Sequence, residues 1–250
     1  MHPHRGFCEC PYAKMMTGAP GIPDKICCFQ GSDHSSLPGN FHPMRSGDFE
    51  FGLVGAGFEH QGVVDPAWSG ELHFFQLWIN LPAAHKMEPP QFLNAAASVT
   101  PTVVVADAPQ ATAKVLLGER VFGVSSPVKS PYVPCEYIDF ELEPGAKVEH
   151  EVTEGLSTRA LYVYRGQVMV AANECDVGEF SLLTPTGSTL VVTAGAEGAG
   201  FMWIAGKPLG EPVVQYGPFV MNTKEEIQQC FHDYQAGDLT QYKPVRRVFK

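Results

Sequence analysis

The run His2-Pro3-His4-Arg5-Gly6-Phe7 places two histidines one residue apart. In a β-strand, side chains two residues apart point to the same face, so both imidazoles would lie on one side. Two imidazoles on one face can approach a single divalent metal. Pro3 suits an edge strand, because proline donates no hydrogen bond to a neighbouring strand. The pair alone is a short motif, and two exposed histidines would produce the same pattern.

Three stretches of the chain resemble the pirin family, a group of two-domain cupin proteins. They are the run at residues 2–7, the run QLWINLP at residues 76–82, and the run GKPLGEPVVQYGPFVMNT at residues 206–223. The resemblance covers most of the chain, is weakest between residues 8 and 47, and implies a divergent, shortened N-terminal part. It implies an all-β fold with two cupin-type β-barrels (a bicupin) and a short C-terminal helix. The 25 glycines and 21 prolines agree with short strands and many turns.

The same resemblance implies a metal site built from His2, His4 and His60. His60 follows the glycine-rich run GAGFE at residues 55–59, in a motif where the family has its third histidine. The family also has a glutamate two residues after that histidine, where this chain has Gly62. Glu59 is a poor substitute, because strand alternation points it to the opposite face. We therefore expect a divalent metal, Fe(II) by resemblance, held by three histidines and bound more weakly than in the family.

Two classes of function follow from the resemblance. The first is a metal-dependent dioxygenase of the quercetin 2,3-dioxygenase type, acting on a small aromatic substrate such as a flavonol. Phe7, Phe51 and Phe58 are then candidate pocket walls, chosen by their proximity in sequence to the histidines. The second is a nuclear transcription cofactor whose metal oxidation state alters a surface that contacts a transcription-factor protein. A pirin relative that has lost both activities is a third alternative, which Gly62 and the shortened N-terminal part favour.

Composition limits the partners and the compartment. The formal net charge is -10, and such a surface repels phosphate backbones, so direct nucleic-acid binding is not expected. No apolar run approaches the ~20 residues of a membrane helix, and no signal peptide is recognisable. Seven cysteines without a secretory segment favour an intracellular protein, cytoplasmic and/or nuclear, and we expect a monomer. The cysteines of Cys8-Glu9-Cys10 and Cys27-Cys28 lack C-x-x-C spacing, so we interpret them as buried or loop thiols.

The rest of the chain predicts a second barrel without a metal site and a C-terminal segment that packs on the first barrel. We place an N-terminal cupin barrel at residues 1–92, truncated at its start, and a second barrel at 93–205. Residues 206–250 form a tail strand and helix that pack back on the first barrel. The second barrel has one histidine, His150, with no partner at metal spacing, so we expect it to be metal-free. Thr223 and Glu226 predict a capping box, and Gly237 the helix end. Arg246 lies in a short basic run that we interpret as a solvated end.

Overall fold

A computed structural model describes residues 2–17, 26–30, 41–64, 69–107, 109–242 and 244–250, with side chains for all of these except 26–30, 41–43, 61–64 and 107. The chain forms two compact units, Met1–Val99 with Leu209–Lys250 (unit 1) and Thr100–Pro208 (unit 2). Compactness does not by itself identify a domain that folds alone, so the domain limits at residues 92 and 205 stay a prediction. The predicted all-β bicupin class with a short C-terminal helix is confirmed.

The strands follow the turn signals of the sequence. The first part of unit 1 contains β1 (His2–His4), β2 (Phe7–Met16), β3 (Ile26–Gln30), β4 (Phe41–Met44), β5 (Phe49–Leu53), β6 (Phe58–Val64), β7 (Leu72–Asn80), a 3₁₀ turn (Ala83–His85) and β8 (Gln91–Ala95). Unit 2 contains β9 (Thr102–Asp107), β10 (Gln110–Leu117), β11 (Cys135–Leu142), β12 (Lys147–Glu151), β13 (Thr158–Val170), β14 (Asn173–Asp176), β15 (Phe180–Leu183) and β16 (Thr189–Gly206). Unit 1 ends with β17 (Val214–Tyr216), β18 (Phe219–Met221), α1 (Lys224–Ala236) and β19 (Val245–Phe249).

In the residues that the structure describes, unit 1 has a four-stranded sheet of order β1-β6-β3-β4, a five-stranded sheet of order β19-β8-β5-β2-β7 and a small two-stranded sheet, β17-β18. Consecutive strands β1 and β2 belong to different sheets, and the chain passes between them at Gly6. Gly6 has a φ of +91°, and a Cβ there would lie 2.1 Å from the carbonyl oxygen of Val220, so this position requires glycine. Side chains from the two larger sheets and from β18 form one buried apolar cluster, which contains Phe7, Val54, Phe58, Phe92 and Val220. The turn at Gly6 therefore holds the histidines of β1 close to the start of β2.

Helix α1 begins and ends where the sequence predicts. The Thr223 side chain accepts a hydrogen bond from the backbone N–H of Glu226, and the Glu226 side chain closes the capping box. Gly237 ends the helix in the left-handed conformation, with a φ of 81°. Ile227 and Cys230 are buried against β18. These contacts place the helix on unit 1.

The C-terminal strand corrects the interpretation of the basic tail as a solvated end. Strand β19 pairs in parallel with β8. Nη1 of Arg246 lies 2.9 Å from Oε2 of Glu50, a carboxyl that is 1% exposed. The interpretation was wrong for Arg246 because its partner lies 196 residues away in sequence, beyond any local pattern.

Unit 2 is an eight-stranded sheet with the order β14-β13-β16-β11-β10-β9, in which β12 also pairs with β16 and β15 with β13. Its core includes Phe140, Phe201 and Trp203, and the rings of Phe140 and Phe201 stack at 4.8 Å. Across the described residues of both units, no helix is long and apolar enough to cross a membrane.

Candidate metal site

Three imidazoles meet where β1 pairs with β6. The antiparallel register places His2 opposite His60, and His4 shares the face of His2 by strand alternation. Nε2 of His60 lies 2.9 Å from Nε2 of His2 and 3.1 Å from Nε2 of His4. His4 and His60 are buried, whereas His2 is exposed. The structure brings together all three histidines that the sequence proposes as ligands, and their metal binding stays a prediction.

The hydrogen-bonding capacity of this cluster fits a cation. A neutral imidazole nitrogen either donates one hydrogen bond or accepts through one lone pair, so Nε2 of His60 cannot be well satisfied by both neighbours at once. A divalent ion among the three nitrogens would accept all three lone pairs. Imidazole donors suit zinc, copper, iron and nickel. The residues therefore fit a divalent transition metal.

Burial keeps the imidazoles in the form that ligates a metal. Desolvation, with a contribution from the neighbouring imidazoles, lowers the pKa of His60 to about 3. Desolvation and the nearby His2 lower the pKa of His4 to about 4. The pKa of His2, which is exposed over part of its ring, is also lowered, first by partial desolvation and then by the charge of the chain N-terminus. At neutral pH the rings are uncharged, so metal binding requires no net release of a proton from them.

A carboxyl group that sequence reasoning missed stands next to the histidines. Glu9 on β2 is fully buried, with Oε1 3.4 Å from Nδ1 of His60 and Oε2 3.8 Å from Nε2 of His4. The side-chain amide of Gln76 donates to Oε2 of Glu9 over 3.1 Å. Burial and the nearby Glu50 raise the pKa of Glu9 well above its ordinary value. The available signal was an acidic residue within the otherwise apolar run that follows Phe7, on the same strand face as Phe7.

Aromatic rings border the histidines. The ring of Phe7 lies 5.3 Å from His4, and the ring of Phe58 lies 5.0 Å from His60. Phe51 is buried on β5, and no ring contact links it to the histidines within the described part of the chain. Trp78, which the sequence did not single out as a site residue, lies 5.5 Å from His4 and is 37% exposed. Trp78 therefore has both a contact with the cluster and an accessible surface.

Gly62 lies on β6 two residues after His60, where its backbone pairs with Cys28 of β3. A glycine offers no ligand atom from a side chain. The position that carries a glutamate in the family motif therefore supplies no charge here.

Unit 2 contains a second buried pair of imidazole and carboxyl, with different surroundings. Oε2 of Glu136 lies 2.8 Å from Nε2 of His150 and accepts a hydrogen bond from Nε1 of Trp203 over 2.8 Å. Its Oε1 accepts from the backbone N–H of Thr153 over 3.0 Å and from the hydroxyl of the same residue. Both carboxyl oxygens are therefore satisfied by protein donors.

Comparisons with known proteins agree with this architecture. Residues 137–240 match the family model described as the Pirin C-terminal cupin domain. The chain is 33% identical to a pirin-like protein from Solanum lycopersicum over 246 residues, covering 94% of this chain and 75% of the relative. It is 32% identical to pirin from Homo sapiens, covering 93% and 74%. A solved structure of a quercetin 2,3-dioxygenase from Acinetobacter baumannii superposes with a TM-score of 0.83 at 28% identity, covering 96% and 78%.

Proposed function

This chain belongs to the pirin family, and we propose on that premise that it is a metal-dependent dioxygenase of the quercetin 2,3-dioxygenase type. The observation that carries the proposal is the convergence of the Nε2 atoms of His2, His4 and His60. The name of the Acinetobacter baumannii protein supports the reaction class. The substrate would be a flavonol or a related small aromatic compound.

The three Nε2 atoms would hold the metal, and we take Fe(II) as the ion. Such an ion, when bound with coordination positions open to solvent, supplies the chemistry that activates dioxygen. His4 and His60 are buried and uncharged at neutral pH. Metal binding therefore requires no net release of a proton from either ring. The pairing of β1 with β6 holds the rings in register.

Aromatic rings beside the histidines would exclude water, and the exposed one, Trp78, would bind the substrate. Phe7 and Phe58 are 1% exposed and pack directly against histidine rings, so they would exclude water from the inner side of the histidine cluster. Trp78 packs on Phe7 at 4.2 Å and keeps an exposed surface, which suits stacking with a flat aromatic molecule. Phe51 is buried and has no role in the substrate contact that we propose.

Elemental analysis and a flavonol turnover assay on the purified, iron-loaded chain test the proposal. We expect bound metal and quercetin consumption, both lost in His60→Ala. The matched control is His232→Ala, which removes an exposed histidine of the same unit and should retain both. Turnover that survives His60→Ala would overturn the proposed site.

Two other outcomes distinguish the alternative functions. Metal without turnover would contradict the dioxygenase and favour a nuclear cofactor that binds a transcription-factor protein. A chain with neither metal nor turnover would be a pirin relative that has lost both activities.

A further inference from the structure

The metal site that we propose lacks the family's glutamate at Gly62, yet a buried carboxyl from another strand lies against its histidines. Glu9 belongs to β2, in the sheet opposite the one that carries His60. Its two oxygens approach two different rings, Nδ1 of His60 at 3.4 Å and Nε2 of His4 at 3.8 Å. The first contact is on the side of the His60 ring that faces away from the three converging Nε2 atoms.

The surrounding residues leave room for Glu9 and hold it in place. Gly52 is its partner across β2 and β5, and a Cβ at Gly52 would lie 3.0 Å from Cγ of Glu9 and 2.8 Å from the ring of Phe92. The glycine therefore accommodates the glutamate side chain. Gln76 holds one oxygen by a hydrogen bond. Oε1 of Glu9 and Nδ1 of His60 have no hydrogen-bond partner, although they are buried and 3.4 Å apart.

Glu9 differs from the neighbouring buried glutamate, Glu50, in the charged groups that contact it. Glu50 has a cationic partner, Arg246, at 2.9 Å. In the part of the chain that the structure describes, no lysine or arginine pairs with Glu9, and its close contacts with ionisable groups are His4 and His60. A buried carboxylate is costly unless a cation compensates it. A metal held by the histidines would supply that positive charge.

We propose that Glu9 is the positioning residue of the metal centre, fixing the His60 ring through its Nδ1–H and replacing the charge that Gly62 does not supply. This inference rests on the proposed function. Carboxylates that accept from the outer nitrogen of a ligating histidine fix its tautomer and strengthen it as a ligand. Glu9 acts through His60 and is not itself a ligand.

Calorimetric titration with Co(II) tests the proposal without an activity assay. Glu9→Gln keeps the size of the side chain and removes its charge, and it should weaken Co(II) binding by about 10–100-fold. Glu50→Gln removes a buried carboxyl of the same sheet that is paired with Arg246 rather than with the histidines, and because it takes a negative charge from beside Glu9 it should not weaken Co(II) binding by more than about threefold. The inference is overturned if Glu9→Gln binds as tightly as the wild type, or if Glu50→Gln weakens binding equally.

His60→Ala separates this inference from the proposed function. If His60→Ala loses Co(II) while Glu9→Gln retains it, the site stands and the role of Glu9 fails. If His60→Ala retains wild-type affinity, the site itself is wrong.

A measurement on the wild type covers the case in which Glu9→Gln does not fold. Co(II) shifts the NMR signals of ligand imidazoles, and ¹⁵N-histidine labelling identifies the exchangeable N–H protons. His60 should show an Nδ1–H, because its Nε2 ligates and its Nδ1 faces Glu9. Ligation of His60 through Nδ1, with no proton on that nitrogen, would overturn the inference.

Discussion

Both units bury a histidine beside a glutamate, but the two pairs differ in what satisfies them. In unit 2, protein donors satisfy both oxygens of Glu136, and Trp203 and His150 share one of them. In unit 1, Oε1 of Glu9 and Nδ1 of His60 lack hydrogen-bond partners. A buried polar group without a partner is costly, so the hydrogen-bonding capacity of the Glu9–His60 pair is less completely used than that of the pair in unit 2.

The difference shows that residue type alone does not identify a site. A histidine–glutamate pair whose polar atoms all have hydrogen-bond partners stabilises the interior of a sheet. We expect a pair that lacks such partners to be the better candidate for a metal site. The imidazoles of unit 1 also face one another through their Nε2 atoms, whereas His150 faces a carboxyl.

Removing the carboxyl of unit 2 should have the largest effect on stability. Glu136→Ala leaves His150, Trp203 and Thr153 without their shared partner and should lower the free energy of unfolding by about 3–5 kcal/mol. Urea denaturation measures the loss. As a control, Glu149→Ala removes an exposed glutamate of β12 and should change stability by less than about 0.5 kcal/mol. A loss below about 1 kcal/mol for Glu136→Ala would contradict a structural role for the pair.

Restoring the family's carboxylate should strengthen the site in unit 1. Gly62→Glu places an anionic group two residues after His60, on the same strand face. We expect Co(II) to bind about tenfold more tightly, a change of about 1.4 kcal/mol. Gly62→Gln is the neutral control of the same size. Equal tightening by both variants would attribute the gain to restriction of the backbone rather than to charge.

The stability of unit 2 should depend on pH through the Glu136–His150 pair. Burial alone would raise the pKa of Glu136. The hydrogen bond and charge of His150 and the hydrogen bonds from Thr153 and Trp203 lower it by more, so the net pKa lies below its ordinary 4.5. A group with a depressed pKa stabilises the fold above its ordinary pKa, and this contribution is lost as the pH falls through the folded value. Hydrogen exchange of β16 amides should therefore lose protection below pH 4.5. Glu136→Gln, which cannot titrate, should lose less, and an equal loss would assign the effect to other carboxyls.

Local chemistry made part of this structure predictable. The capping box of Thr223 and Glu226 and the left-handed Gly237 depend on residues close in sequence. The H-x-H spacing likewise fixes which face two histidines share. Glu9 was not predictable, because its approach to His60 depends on how two sheets lie against each other. Strand alternation gives the face of a residue but not what that face meets.

The smallest expected effect is that of His150 on metal binding. His150→Ala should leave Co(II) affinity within about twofold of the wild type, although it removes a donor to Glu136 and lowers stability. Nε2 of His150 is engaged by that carboxyl at 2.8 Å, and its ring neighbours are Phe122, Phe140 and Trp203, which offer no ligand atom. Among the described residues, the histidines of unit 1 are the one group of three or more His, Cys, Asp or Glu side chains whose ligand atoms lie within 4.8 Å of one another. Calorimetric titration below the variant's unfolding temperature measures the affinity. If the variant binds half as much metal, His150 contributes to a site, and a satisfied pair would no longer mark a structural one.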